Sequence, residues 1–425
     1  MKKKKAPLGH RMKEFVKTSV VWGPLDHNLF FTIIFLNVYG IIMVYSASYN
    51  NSITKNYSYF MNNQLKNVIF GFVIMIVASY VNYHRIVRFG WGWFWLLAAV
   101  AIIAALKTPL AHSELGATRW IKLGPVSFQA AEPIKAAIII FFAYYVSYWG
   151  LNRWYNQLLA CLLAIALLGF LFFFSNNLST VIVLFCICAV IILSSVKKPD
   201  LYLYFLLGLA LIIIAAIFVT VYLLMHQGAE NFRFVRIRAW LHPEEYAADE
   251  GLQAMQARYA IGAGGFWGKG LGQSLIKFKL SYSYNDFILA IICEELGVFG
   301  VIVMMTLFGY LLYRIYKIAQ NAWDIEGKVL AIGVFTQIAL QLLINVMVVT
   351  SVIPTTGVTL PFFSAGGTSV VFLLAELGMV LNVDKYAKER RFFEEAERHV
   401  AQMEQRGGIG VAGWRRRLDS ARTRR

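Results

Sequence analysis

Residues 285–313, NDFILAIICEELGVFGVIVMMTLFGYLLY, decide the fold of this chain. From Phe287 onward the run is apolar and longer than the roughly 20 residues a helix needs to cross the hydrocarbon of a bilayer. Glu294 and Glu295 interrupt it two turns in, too deep for free solvation, and therefore require partners such as Arg119 or Lys135. Asp286 stands just before the run, at the mouth of the helix. Two readings of that position stay open. Asn285 or Asp286 can cap the helix, satisfying free backbone N–H groups at the positive end of its dipole. Alternatively, partial desolvation makes Asp286 a base able to accept a hydroxyl proton.

Working outward, similar apolar runs recur at 29–46, 68–81, 91–106, 133–147, 158–174, 178–194, 203–225, 329–349 and 370–381. Of the 425 residues 59% are hydrophobic and only 15% charged, against about a quarter charged in a soluble domain. The chain reads as an all-α integral membrane protein of about ten transmembrane helices. The first run is span-length and is expected to stay as the first helix, not to be cleaved as a signal. Positive charges in short loops orient the spans. With Lys2, Lys3, Lys4 and Lys5 in the cytoplasm, Arg85 and Arg88, Arg153, Lys197 and Lys198, Arg314 and Lys317, and the basic tail all fall on that side. Both termini are then cytoplasmic, and one large extracellular loop, 226–286, joins the seventh and eighth helices. The segments are a basic N-terminus 1–27, a membrane domain 28–383, and a basic tail 384–425 expected to form a short amphipathic helix and a disordered end that can lie against anionic lipid.

The net charge of +17 is split between the termini and short loops, a pattern that argues against nucleic-acid binding. Cys161, Cys186, Cys188 and Cys293 lie inside apolar runs as small hydrophobes, without a disulfide framework. GxxxxGK[ST], HExxH, GxSxG and paired cysteines at zinc spacing are all missing. No tightly bound metal or cofactor is expected, and a loosely held divalent cation at a diphosphate is left open.

What remains is a set of ionisable residues at membrane edges or within spans, functional candidates because they are costly there. Glu132 and Lys135, three apart at the start of the fourth helix, share a face and can pair. The external loop carries Arg233, Arg236, Arg238, Arg258, Lys269, Lys277 and Lys279, which an anionic ligand or the loop's own carboxylates can hold there. Six glycines within 262–272 forbid a stable helix and allow close backbone approach. A second irregular stretch, IPTTGVTLPFFSAGGTS at 353–369, sits at an interface where such backbone is tolerated only inside protein or along a cavity.

These residues fall into motifs that resemble the SEDS family of FtsW, RodA and SpoVE. The carriers are GATRWIKLGPVSFQAAEPIK (116–135), QARYAIGAGGFWGKGLGQSLIK (256–277), NDFILAIICEELGVFG (285–300), the pair Gln341 and Asn345, and the stretch 353–369. They occur in the expected order, with helix count and topology also agreeing, and the mixture looks closest to the FtsW and SpoVE types. The sequence departs from the family at Ala130 and Ala131, where Pro-Ser is usual, and at Ala365, where tyrosine is frequent. It departs also at 281–285, SYSYN, where a Pro-Glu with a His-Thr pair is common.

The resemblance implies a peptidoglycan glycosyltransferase. Such an enzyme transfers the growing glycan from its undecaprenyl diphosphate onto lipid II at the outer face of the cytoplasmic membrane, in division, elongation or sporulation. It implies a partner, a class B penicillin-binding protein whose transpeptidase cross-links the product, alongside other divisome or elongasome membrane proteins. Asp286 matches the family's catalytic aspartate. Arg119, Lys277, Arg258 and Arg236 would supply cations for the diphosphate, and Gln256, Ser274 and Ser364, within the same motifs, would be further substrate contacts. Glu132, Lys135, Glu294 and Glu295 would form an ion network in the cavity. Two other classes of function fit the same charged bundle: a lipid II flippase and a non-catalytic divisome scaffold.

Overall fold

The computed structural model describes residues 21–405 apart from residues 22, 49–58, 110, 115–116, 124–125, 176, 197–207, 209–238, 242, 246–249, 279–284 and 365–366. The chain runs α1 (His27–Ser48), α2 (Tyr59–Tyr80), a short α3 (Tyr83–Val87), α4 (Trp93–Ala105), β1 (Ala111–Glu114), β2 (Ala117–Leu123), β3 (Val126–Gln129), α5 (Ala131–Trp149), α6 (Trp154–Ser175) and α7 (Leu178–Ser195). After the large loop come α8 (Glu250–Gly264), α9 (Ile288–Gln320), α10 (Ile325–Val349) and α11 (Thr368–Gln405).

Among the described residues six helices, α1, α2, α6, α7, α9 and α10, are long and apolar enough to cross a membrane, and α4 is a shorter apolar helix. The fourth and tenth expected spans coincide with α5 and with the first half of α11. The expected seventh, 203–225, lies outside the described residues but for Gly208. α5 is buried at every position from Ala137 to Val146, as befits a helix apolar on all sides, and it packs against α4, α7 and α10. By contrast, α2 and α6 turn Ile69, Phe70, Val73, Leu158, Leu162 and Phe173 outward, an apolar exterior suited to lipid. α9 packs on α1, α8 and α10, and α11 lies along α2.

Two elements differ from the expected all-helical pattern. Residues 111–129, between the third and fourth expected spans, form a three-stranded antiparallel sheet of order β1-β2-β3 just before α5. Within the large loop, α8 is a helix, and its last turn takes in Gly262 and Gly264 before the glycine run ends it. α11 continues without a break through Asp384 to Gln405, so the basic tail begins as an extension of the last span.

The rim where α9 ends and α10 begins is tied by a polar cluster. Asp324 caps α10, its Oδ1 accepting from Gly327 N at 2.8 Å, while its Oδ2 accepts from Tyr83 Oη at 2.6 Å and lies 2.7 Å from His84 Nε2. Asn382 of α11 joins in, accepting from Tyr83 N and donating to Ser79 O. Burial pushes the Asp324 carboxyl up, but the bonds from His84, Gly327 N–H and Tyr83 outweigh it and hold the group below the ordinary carboxylate range. Burial, reinforced by Asp324, pushes the Tyr83 phenol up. A depressed carboxylate contributes stability above its ordinary pKa and loses it as pH falls through the depressed value. Asp324→Ala is therefore expected to cost at least the cap, about 1–2 kcal/mol, at neutral pH. Thermal unfolding in detergent checks this: the gap between wild type and variant should narrow as pH drops below about 4, and a gap that stays constant would refute the linkage.

Candidate active site

Asp286 sits in the turn 285–287 at the opposite rim, half-buried. The N-cap of α9 is Phe287, which makes no side-chain cap bond, so neither Asn285 nor Asp286 occupies the capping position. The backbone here is clamped from two sides. Asn345 Nδ2 of α10 donates to Asp286 O at 2.9 Å and to Val358 O at 3.0 Å. Ser364 Oγ donates to Asn285 O at 2.8 Å and accepts from Leu360 N at 2.7 Å. The proline- and glycine-containing stretch 353–369 thus finds its partners inside the protein, with Phe362 and Phe363 buried, which is what irregular backbone near a membrane requires.

About 12 Å deeper along α9, at 1.5 Å per residue, Glu294 and Glu295 are fully buried. Among the described side chains their cationic partners come from the glycine-rich segment, while Lys135 pairs with Glu132 instead. Glu294 Oε1 accepts from Lys269 Nζ at 2.8 Å and from Leu275 N at 3.1 Å, and its Oε2 accepts from Ser274 Oγ. Glu295 Oε1 lies 3.4 Å from Lys277 Nζ, and its Oε2 accepts from Ser46 Oγ of α1 at 2.5 Å. Lys277 Nζ also donates to Gly272 O at 2.7 Å. α9 breaks at Gly297 (φ 65°, ψ −164°), and the loop mends the break. Lys269 N and Gly270 N donate to the carbonyls of Glu294 and Glu295, and Val298 N and Phe299 N donate to those of Gly265 and Phe266.

A third polar group lies on α5. Lys135 Nζ and the Glu132 carboxylate pair at 2.9 Å with both side chains buried, as their spacing implies. Nearby, Gln337 Nε2 of α10 donates to Glu376 Oε2 of α11 at 2.7 Å, and the charges of Lys135 and Glu132 act on Glu376. Glu376 is 1% exposed. It escaped the sequence reading although it stands inside a predicted span, where the rule that selected Glu294 would have selected it too. Lys269 was visible as a loop cation, but nothing in the sequence marked it or Ser46 as partners of the α9 glutamates.

The remaining predicted residues are more dispersed. Arg119 falls at a β-bulge in β2, between Thr118 and Trp120, which pair with consecutive residues of β1. Bulges of this kind re-aim a strand and recur beside active sites. On α8, Arg258 is exposed and Gln256 is buried with its Oε1 unpaired. Arg236, with Arg233 and Arg238, lies outside the described residues. Among the described residues no three His, Cys, Asp or Glu side chains converge as a metal-binding set.

The family model for FtsW, RodA and SpoVE, described as cell cycle protein, matches residues 26–389. The chain belongs to this family. Curated relatives match over most of their length. The chain is 32% identical to the probable peptidoglycan glycosyltransferase FtsW of Bacillus subtilis (strain 168) over 374 residues, 85% of this chain and 91% of that one. It is 33% identical to stage V sporulation protein E of the same organism, over 84% and 96% of the two chains. Among solved structures, a chain of a peptidoglycan synthase complex that coordinates polymerization and crosslinking aligns with TM-score 0.72 at 22% identity, covering 86% of this chain and 99% of that one. RodA of Thermus thermophilus aligns with TM-score 0.62 at 21% identity, covering 86% and 98%. At those identities the structural likeness speaks for the fold.

Within this FtsW/RodA/SpoVE-type bundle, the Lys277–Glu295 pair is buried on both sides, and removing one partner strands the other charge. Lys277→Met is expected to destabilise by about 3–5 kcal/mol, and Glu295→Gln in the same chain should recover part of that loss. Unfolding midpoints of the two single variants and the double variant check the coupling; additive losses would refute it.

Proposed function

We propose that this chain is a peptidoglycan glycosyltransferase, a lipid II polymerase of the cytoplasmic membrane acting in division or sporulation. The observation that carries the reading is Asp286, a half-buried carboxylate fixed at the mouth of a span by clamps on its own carbonyl and its neighbour's. In the reaction the acceptor 4-hydroxyl attacks the donor's anomeric carbon. Asp286 takes the hydroxyl proton, the new C1–O4 bond forms, and the C1–O bond to the diphosphate breaks with inversion, the leaving group keeping the electron pair. Arg119, Arg258 and Arg236 are the proposed cations for the diphosphate, with Gln256 as a further contact; Lys277, Ser274 and Ser364, buried in bonds to Glu295, Glu294 and Asn285 O, hold the frame of the site instead of the substrate. Glu132, Lys135, Glu294 and Glu295 hold the helices that frame the site. Relatives named peptidoglycan glycosyltransferase at about a third identity support this reading.

The proposed topology has about ten spans, both termini in the cytoplasm and the 226–286 loop outside, on the charge pattern of the short loops. Residues 28–383 form the membrane domain between the two basic ends. The proposed partner is a class B penicillin-binding protein, in keeping with the synthase complex whose chain this one resembles. Purified protein reconstituted with that partner and given lipid II tests the proposal. Polymer bearing lipid at one end is the expected product. Movement of lipid II between leaflets without polymer would support a flippase instead, and neither activity with partner binding intact would leave a scaffold.

A further inference from the structure

Glu376, on the part of α11 that coincides with the tenth expected span, is buried, and so is Gln337 of α10. A single bond joins them, from Gln337 Nε2 to Glu376 Oε2 at 2.7 Å. The other oxygen of each group, Glu376 Oε1 and Gln337 Oε1, is buried without any hydrogen-bond partner. With Glu376 ionised the arrangement is short of donors, because a carboxylate and an amide oxygen only accept. It is also short of a cation. Of the charged groups on helices packed against α11, those that act on Glu376 are Lys135 and Glu132 of α5, and they already hold each other at 2.9 Å with both side chains buried. An ionised Glu376 would therefore be a second carboxylate for one ammonium, in surroundings where an unpaired charge is neutralised sooner than tolerated.

We infer that Glu376 is a proton-binding site within the membrane domain, a carboxylic acid at neutral pH whose O–H donates to Gln337 Oε1 and ties α11 to α10. A protonated carboxyl gains the one donor that the pair lacks. A planar acid already joined to a planar amide at one edge can then bond in both senses. A metal cation fits less well: two free oxygens fall short of the roughly six that a hard cation takes, and Lys135 already brings a positive charge. The proton also governs the neighbouring pair. A neutral Glu376 leaves Lys135 to Glu132, whereas an ionised one competes for it, so loss of the proton loosens the start of α5.

Infrared spectra of the full-length protein at neutral pH, in dodecyl maltoside, a detergent without carbonyl groups, test the assignment. Wild type minus Glu376→Gln should show the C=O band of one protonated carboxyl, shifted down in deuterium oxide. Gln337→Leu should move that band to higher frequency, since it removes the donor to Oε2. Unfolding midpoints give a second reading. The unfolded chain ionises this carboxyl above about pH 4, so the folded acid contributes stability below that value and loses it as pH rises. Glu376→Gln, a neutral isostere, has no such loss, and its midpoint should exceed that of wild type by a few degrees at about pH 8 and by less at about pH 5. Loss of an ionised carboxylate band in place of an acid band overturns the inference, as does a midpoint gap that does not change with pH. Should Glu376→Gln fail to fold, wild type against Gln337→Leu still decides: an acid band that shifts supports the tie, and the absence of one refutes it.

Discussion

Asp286→Asn, reconstituted with its transpeptidase partner and supplied with lipid II, is expected to polymerise at least about a hundredfold more slowly than wild type, in line with the 10²–10⁴ contribution of a positioned general base. The substitution keeps the side chain's shape and leaves untouched what fixes it, because Asn345 and Ser364 hold the carbonyls of residues 286 and 285. Loss of rate then reports the missing proton acceptor and not a displaced turn. KM for lipid II should move by no more than about twofold, since the proton is transferred only in the transition state. Asp286→Glu, which returns a carboxylate about one bond out of place, should recover part of the rate. Asn345→Leu, which removes the clamp but keeps the acid, should slow turnover by a smaller factor through misplacement. If Asp286→Asn polymerises at the wild-type rate, the base lies elsewhere and the proposed chemistry falls with it.

How much of this could be read from residues alone depended on what held each element together. Spans such as α1, α6 and α7 are legible because long apolar runs have one stable state in lipid. Element ends were harder. α2 begins at Tyr59, nine residues before its apolar run, because the polar stretch 59–67 is still helical. α11 passes through Asp384, since a change from apolar to charged marks the exit from lipid without ending the helix. α8 has neither span-like hydropathy nor a clear apolar stripe, and its burial depends on docking against α9, a tertiary fact.

The site divides along the same line. The Glu132–Lys135 pair follows from helical spacing and was legible. The cationic partners of Glu294 and Glu295 were not, because they reach α9 from a loop 18 to 25 residues earlier in the chain whose path is set by glycines at positive φ. The sequence announced that two buried carboxylates needed cations; those the structure supplies are Lys269 and Lys277, whereas Lys135 is taken by Glu132. The choice among several basic residues is made by backbone geometry, which a charge pattern does not carry.

That geometry carries the second large effect. Gly297 holds φ 65° and ψ −164°, a region open essentially to glycine alone. A Cβ there would stand 2.4 Å from both Gly268 N and Phe266 O, backbone atoms of the loop that mends the break in α9. Gly297→Ala must therefore either force the strained conformation, about 1–3 kcal/mol, or push the loop away. The second course strips Lys269, Ser274 and Lys277 from two carboxylates that are fully buried. Stranding such charges costs about 3–5 kcal/mol, which by that course consumes much of a typical stability of about 5–15 kcal/mol. Gly262→Ala is the control: that residue is exposed, helical, and has open space around its missing Cβ, so the change should stabilise by about 0.5–1 kcal/mol. Unfolding midpoints and hydrogen exchange over residues 264–278 separate the cases. Rapid exchange confined to that segment in Gly297→Ala, with α10 still protected, would show the loop released from an intact bundle. Wild-type protection there would mean that the loop does not depend on the break in α9. Since α9 also positions Asp286 at its mouth, a released loop should slow polymerisation even in the fraction that stays folded.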